Sequence, residues 1–269
     1  MVMIDLSWLR DLVHAQAWWV IFFSSALNFA SIYFGSAGLT WWLTRHVLSA
    51  RGIGRIIDRR ALRPGQIFDE VRQSLVSILI FAAYGVATVA ADGLGLVHIR
   101  WWETPGRFVL DLGLLILWNE IHFYACHRLL HTQWLYRHVH AAHHRSVVST
   151  PFSTYSLHWF EALLLSSVTL LFLLVYDLGI ACVLMFPFIS LALNSIGHMN
   201  YELFPQRPIN SLLTGCRRHS LHHGRCIGNY GFSLPWLDHW LNTSIKGVDR
   251  EAPLLPDDHS STPSNQCEK

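Results

Sequence analysis

Residues 108–144 read FVLDLGLLILWNEIHFYACHRLLHTQWLYRHVHAAHH, an apolar run that passes without a break into histidine. At 1.5 Å per residue, 108–126 is long enough for about 30 Å of hydrocarbon. The helical pattern continues from Asn119 to Leu135, so this span should leave the bilayer carrying His127 and His131, with His140, His143 and His144 close behind. Residues three and four apart share one helix face, so H-x-x-x-H and H-x-x-H-H each aim their imidazoles into one space. The stretch predicts a membrane helix that ends in a metal-ligating rim.

A third cluster, His219, His222 and His223, repeats H-x-x-H-H in a helix expected to end at Gly224, ahead of a loop through Asn229-Tyr230-Gly231. Eight imidazoles exceed the four that one tetrahedral zinc takes, which implies two metal ions; imidazole suits zinc, copper, iron and nickel. No Asp or Glu lies between His127 and His144, unlike the Glu-x-x-His pattern of carboxylate-bridged bundles. His14, His46, His98, His122, His138, His239 and His259 show no grouping and are read as core or interface residues. Cys126, beside His127, is read as a small buried residue.

With 52% hydrophobic and 14% charged residues, the chain is too oily for an ordinary soluble fold. The twelve Trp and eight Tyr add amphipathic rings, many near the ends of apolar runs, as at the headgroup level of a bilayer. A net charge of +2 gives no reason to expect nucleic acid. Apolar runs at 18–43, 71–91, 108–126, 160–176 and 180–197 predict an all-α, polytopic membrane bundle of four to five spans or re-entrant hairpins. A single membrane-embedded domain over 1–249 would then carry a helical cap, 127–158 and 199–242, that joins the histidine clusters. Residues 250–269, rich in Pro, Asp and Ser, predict a disordered tail. Five cysteines without paired spacing predict no disulfide framework.

Arg45, Arg51, Arg55, Arg59, Arg60, Arg63 and Arg72 fill the first loop. Counting spans from there puts Arg128, Arg137, Arg145, Arg207, Arg217, Arg218 and Arg225 on the same side, with Arg10, Arg100 and Arg107 opposite. By the positive-inside rule all three histidine clusters face the cytoplasm, in a bacterial inner membrane or the endoplasmic reticulum.

The order His127-Arg-Leu-Leu-His131, Tyr136-Arg137 before His140-Ala-Ala-His143-His144, Thr150-Pro151-Phe152, His158 with Glu161, and His219-Ser-Leu-His222-His223 before Asn229-Tyr230-Gly231 resembles the fatty acid hydroxylase / sterol desaturase superfamily. The likeness covers Glu120 to Asn242. Within the superfamily, the stretch from His144 to His158 is most similar to the sterol C-5 desaturase branch, although Trp159 stands where that branch has proline. The resemblance implies a non-haem di-iron membrane oxygenase that uses O2 to hydroxylate or desaturate a sterol, fatty acyl or related lipid from the bilayer. It maps the histidine boxes onto the eight clustered residues and makes His198, in Asn194-x-x-x-His198, a ninth ligand. Asn194 is then a weak ligand, the holder of a bound water, or a polar residue bonded across helices, and His158 is a further candidate ligand.

Cleaving an unactivated C–H bond needs a redox-active metal, so iron is expected rather than zinc. Neutral imidazoles leave the metal charge uncompensated, so carboxylates should accept from the outer ring nitrogens; Glu120, Glu161 and Asp238 are the candidates. No G-x-G-x-x-G run or appended haem domain is visible, so no flavin, nicotinamide or haem is expected on the chain itself. Electrons would come from a separate cytochrome, ferredoxin or reductase, docked through arginines such as Arg217, Arg218 and Arg225. The competing reading is a membrane metal-binding or metal-transport protein without oxygenase activity. Transport would place ligands near mid-membrane in broken helices rather than at one end of the spans. A zinc protease would show H-E-x-x-H, which is absent.

Overall fold

The computed structural model describes residues 3–245. The expected tail, 250–269, lies outside them. Helices follow in the order α1 (Ser7–His14), α2 (Trp18–Trp42), α3 (Gln66–Gly93), α4 (Pro105–Leu130), α5 (Gln133–Leu135), α6 (Ala141–His144), α7 (Trp159–Ser166), α8 (Val168–Leu173), α9 (Ile180–Gly197), α10 (Gly215–Arg225) and α11 (Trp236–Trp240). Strand is confined to three two-residue pairings among the described residues, so the chain is an all-α bundle.

Among the described residues four helices are long and apolar enough to cross a membrane: α2 with its π-helical continuation to Leu48, α3, α4 and α9. Their outer faces stay apolar, with Leu27 70% and Val109 67% exposed, as expected where hydrocarbon is the solvent. The run at 160–176 holds a shorter apolar helical stretch, Trp159–Leu173, than these four. It breaks into α7 and α8 at Ser166 and Ser167, whose hydroxyls donate to the carbonyls of Leu163 and Leu164. Ser and Thr hydroxyls that bond back onto the preceding turn compete with the helix ladder and bend it. Trp118 Nε1 then donates to the Val168 carbonyl at 2.9 Å and holds the bend against α4.

Close approach of α2 and α3 depends on Gly85, where a Cβ would lie 2.8 Å from Ser25 Oγ. α4 opens on Thr104, whose hydroxyl accepts from Arg107 N, with Pro105 in the first turn. The expected continuous helix from Asn119 to Leu135 is interrupted: α4 stops at Leu130, Thr132 is extended, and the chain restarts as α5 and a π-turn, Tyr136–His140. That break turns the second histidine cluster back toward the first.

The cap is tied to the spans by polar contacts. Glu70 of α3 accepts from Gln66 Nε2 at 2.8 Å, Ser146 Oγ at 2.7 Å and Thr150 Oγ1 at 2.5 Å, which pins the segment after α6. Arg55–Ile56 pairs antiparallel with Tyr201–Glu202, joining the arginine-rich connector to the segment ahead of α10. Cys126, Cys182 and Cys216 are buried free thiols.

Candidate metal centre

The nine histidines named as candidates converge. His127, His131, His140, His144 and His222 form one group, and His143, His198, His219 and His223 a second, each offering ring nitrogens within 4.8 Å of one another. They arrive from the end of α4, the π-turn, α6, the end of α9 and α10. Eight of the nine are buried and His131 is half-buried.

The rings bring the same nitrogen, Nε2, together. In the first group Nε2 of His222 lies 3.2 Å from that of His131 and 3.1 Å from that of His144, which is 3.1 Å from that of His140. In the second, Nε2 of His198 lies 2.9 Å from that of His219 and 3.4 Å from that of His143, and His219 lies 3.0 Å from His223. At metal–nitrogen bonds of roughly 2.0–2.1 Å, ligand nitrogens sit about 2.9 Å apart at a right angle and about 3.3 Å apart at a tetrahedral one. The spacings are those of ligands around a cation.

The outer nitrogens show why Nε2 faces inward. Nδ1 of His127 meets the Tyr230 carbonyl at 2.9 Å, His143 that of Ser156 at 3.2 Å, His198 that of Asn194 at 2.9 Å, and His222 that of Gly228 at 2.6 Å. His140 Nδ1 lies 2.8 Å from Glu161 Oε1. A carbonyl or carboxylate takes only an N–H, so each of these rings carries its proton on Nδ1 and turns the Nε2 lone pair into the group. Burial holds His143 down to about 4 and His198 down to about 3. Burial and neighbouring imidazoles also put His131, His140, His144, His219, His222 and His223 below the usual histidine range. Neutral rings are the form that binds a metal.

Other candidates are placed differently. Glu161 touches a ring, but Glu120 does not: its carboxylate accepts from the backbone N–H groups of Ser233 and Leu234 at 3.1 Å and ties the cap to α4. Asp238 accepts from Tyr230 N and Gly231 N at 2.8 Å and from Thr243 Oγ1 at 2.7 Å, so it reaches His127 only through the Tyr230 loop. His158 is outside both groups; Nδ1 accepts from Phe160 N and caps α7. The Asn194 carbonyl accepts from His198 Nδ1 and orients that ring, and the residue lines a cavity. Cys126 is buried beside His122, 3.6 Å from its ring nitrogen, and belongs to neither group.

Arg217 and Arg218 are not docking residues. Arg217 is 2% exposed, with Nε 2.6 Å from Glu202 Oε1, and Arg218 donates to the carbonyls of Ile209, Ser211 and Ser233. Their charge is spent on holding the cap together; Arg225 alone of the three is exposed.

A cavity of about 490 Å³ opens on the histidines, lined by His127, His140, His143, His198 and His219 at one end and by apolar side chains of α2, α3, α4, α8 and α9 elsewhere. Along α9 its lining runs from His198 to Ile180, about 27 Å of helix rise. Spacing along the chain gave no sign of the carbonyls of Ser156, Gly228 and Tyr230 that orient the rings. The polar residues inside apolar runs that line the cavity, Asn28 and Asn119 among them, were a legible sign.

Residues 112–243 match the fatty acid hydroxylase family. The chain is 30% identical over 77% of its length to a very-long-chain aldehyde decarbonylase of Oryza sativa subsp. indica, covering 35% of that protein. It is 30% identical over 56% of its length to another from Arabidopsis thaliana, covering 26% of it. Identity is 25% over 74% of the chain to a probable Delta(7)-sterol 5(6)-desaturase of Neurospora crassa, covering 60% of that protein. The chain thus spans between 25% and 35% of the length of the decarbonylases it resembles. No solved structure matches it. On the histidine order, the four apolar spans and these likenesses, the chain belongs to the fatty acid hydroxylase / sterol desaturase superfamily.

Proposed function

We propose that the chain is an O2-dependent oxidoreductase that hydroxylates or desaturates a lipid drawn from the bilayer, using two iron ions and electrons from a separate redox protein. One observation carries the reading: nine inward-facing imidazoles stand in two groups at the end of a largely apolar cavity within a membrane bundle. The donor set fits iron. One group offers five nitrogens and the other four, which leaves one and two positions of a six-coordinate site for other ligands. His127, His131, His140, His144 and His222 would hold one ion, and His143, His198, His219 and His223 the other.

Bound iron would supply the activation of O2 and the oxidising power that a C–H bond demands. The protein's own contribution is positional. Glu161 and the carbonyls of Tyr230, Ser156, Asn194 and Gly228 fix the ring tautomers before metal arrives. Cavity walls such as Phe29, Phe81, Leu165 and Phe186 keep water from the reacting carbon and align an extended or fused-ring hydrocarbon toward His127 and His143. Relatives named for very-long-chain aldehydes and for a sterol support a lipid substrate. The arginine distribution supports a cytoplasmic centre, where a soluble or membrane-bound reductase, ferredoxin or cytochrome has access.

The test is to purify the full chain, count metal by mass spectrometry and follow O2-dependent change in membrane lipids with a reductant supplied. Two irons per chain and lipid turnover are expected. Vectorial metal movement without lipid turnover would overturn the reading.

A further inference from the structure

All three asparagines that lie within the four spans, Asn28 of α2, Asn119 of α4 and Asn194 of α9, line the same cavity. None of their side-chain amides has a hydrogen-bond partner among the described residues. Each amide carries two N–H donors and a carbonyl acceptor, and hydrocarbon satisfies neither. Polar side chains in spans ordinarily bond across to a neighbouring helix. These three residues, Asn28 exposed and Asn119 and Asn194 half-buried, line one cavity from three spans and offer hydrogen-bonding capacity to whatever fills it.

The same cavity sets the charge of its occupant. No Arg or Lys lines it, and its one acidic residue, Glu161, lies against His140. A carboxylate or phosphate held away from the histidine end would have no counter-charge beside it, whereas an amide suits an uncharged oxygen as both donor and acceptor. Asn119 lies eight residues before His127 on α4, about 12 Å along the helix, so an oxygen bound there is well separated from the histidine end.

We infer that this cavity takes a neutral, oxygen-bearing lipid, an alcohol, carbonyl or ester rather than a free acid or phospholipid headgroup, and recognises its oxygen through Asn28 and Asn119 at a distance from the metal centre. The inference rests on the proposed lipid-oxidising function and names its substrate class. Asn194, one turn before His198, lies nearer the metal end and serves the reacting segment.

Binding tests it without turnover. Thermal unfolding of the full chain in nanodiscs would be followed with octadecane, 1-octadecanol or stearate at matched concentrations. Octadecanol is expected to stabilise most, with an apparent affinity about fivefold above octadecane, the worth of one net hydrogen bond. Stearate should not exceed octadecane. Asn119→Leu and Asn28→Leu should each narrow the alcohol-to-alkane ratio while retaining octadecane binding. Equal binding of alcohol and alkane by the unmodified protein, which would mean that water satisfies the amides, overturns the inference, as does tighter binding of stearate. Alcohol selectivity in a protein without iron or lipid turnover would instead sink the proposed function and leave this recognition standing.

Discussion

Nδ1 of His140 lies 2.8 Å from Oε1 of Glu161, with both side chains buried. The other ring partners described above are backbone carbonyls, so this is the one contact in which a carboxylate raises ligand basicity. Glu161→Ala is expected to lower metal affinity by roughly 10- to 100-fold, and Glu161→Gln by less, since the amide oxygen still accepts from Nδ1. Iron retained after dialysis against a graded chelator would measure both. Unchanged retention in Glu161→Ala would show that His140 needs no outer partner.

The two groups make a stoichiometric expectation. His143 belongs to the four-histidine group, so His143→Ala should lose one iron and keep the five-histidine ion, with lipid turnover abolished and membrane insertion intact. Loss of both ions in that variant would mean that the groups load as one unit; retention of both with full turnover would refute the assignment.

The ring set was legible because helical spacing reports which side chains share a face, and each cluster needed only one local element to present it. Carboxylates were not, because Glu120, Glu161 and Asp238 are all buried acids near the cap, and it takes the packing of α7 on the π-turn and the path of the 228–234 loop to decide which meets a ring and which meets backbone N–H groups. His158 looked like a ligand by type and proved to be a helix cap, a role ordinarily taken by short polar side chains. Hydropathy identified the four long spans but is blind to the Ser166–Ser167 break, which depends on hydroxyl bonds and not on oiliness. Arg217 and Arg218 read as surface charge, since nothing local announces that Glu202 and a set of carbonyls will bury them.

Gly228 combines two demands. Its φ of +65° lies in the left-handed region, and a Cβ there would come within 2.7 Å of the Thr243 carbonyl. Its own carbonyl receives His222 Nδ1 at 2.6 Å. Gly228→Ala is therefore expected to cost at least about 1–2 kcal/mol in backbone conformation alone and to displace the acceptor that fixes His222. Thermal unfolding combined with an iron count should show a lowered midpoint together with weaker occupancy of the five-histidine group. A lowered midpoint with iron undiminished would confine the glycine to a turn-forming role.

Asp238 works at one remove from the metal. Its two oxygens accept from Tyr230 N, Gly231 N and Thr243 Oγ1, and the Tyr230 carbonyl in turn accepts from His127. Replacing it with alanine leaves two backbone N–H groups without their acceptor, at about 1–3 kcal/mol for each one left unsatisfied. Asp238→Asn keeps one oxygen but turns an NH2 toward donors, so its loss of stability should fall between those of the wild type and Asp238→Ala. If the loop positions His127, both variants lose iron selectively from the five-histidine group while the four-histidine group, whose ring acceptors at Ser156 and Asn194 lie elsewhere, stays loaded. The readout is the number and spectroscopic signature of the remaining ions, set against the unfolding midpoint. Uniform loss from both groups in step with stability would make Asp238 a brace of the cap rather than a positioning residue for His127.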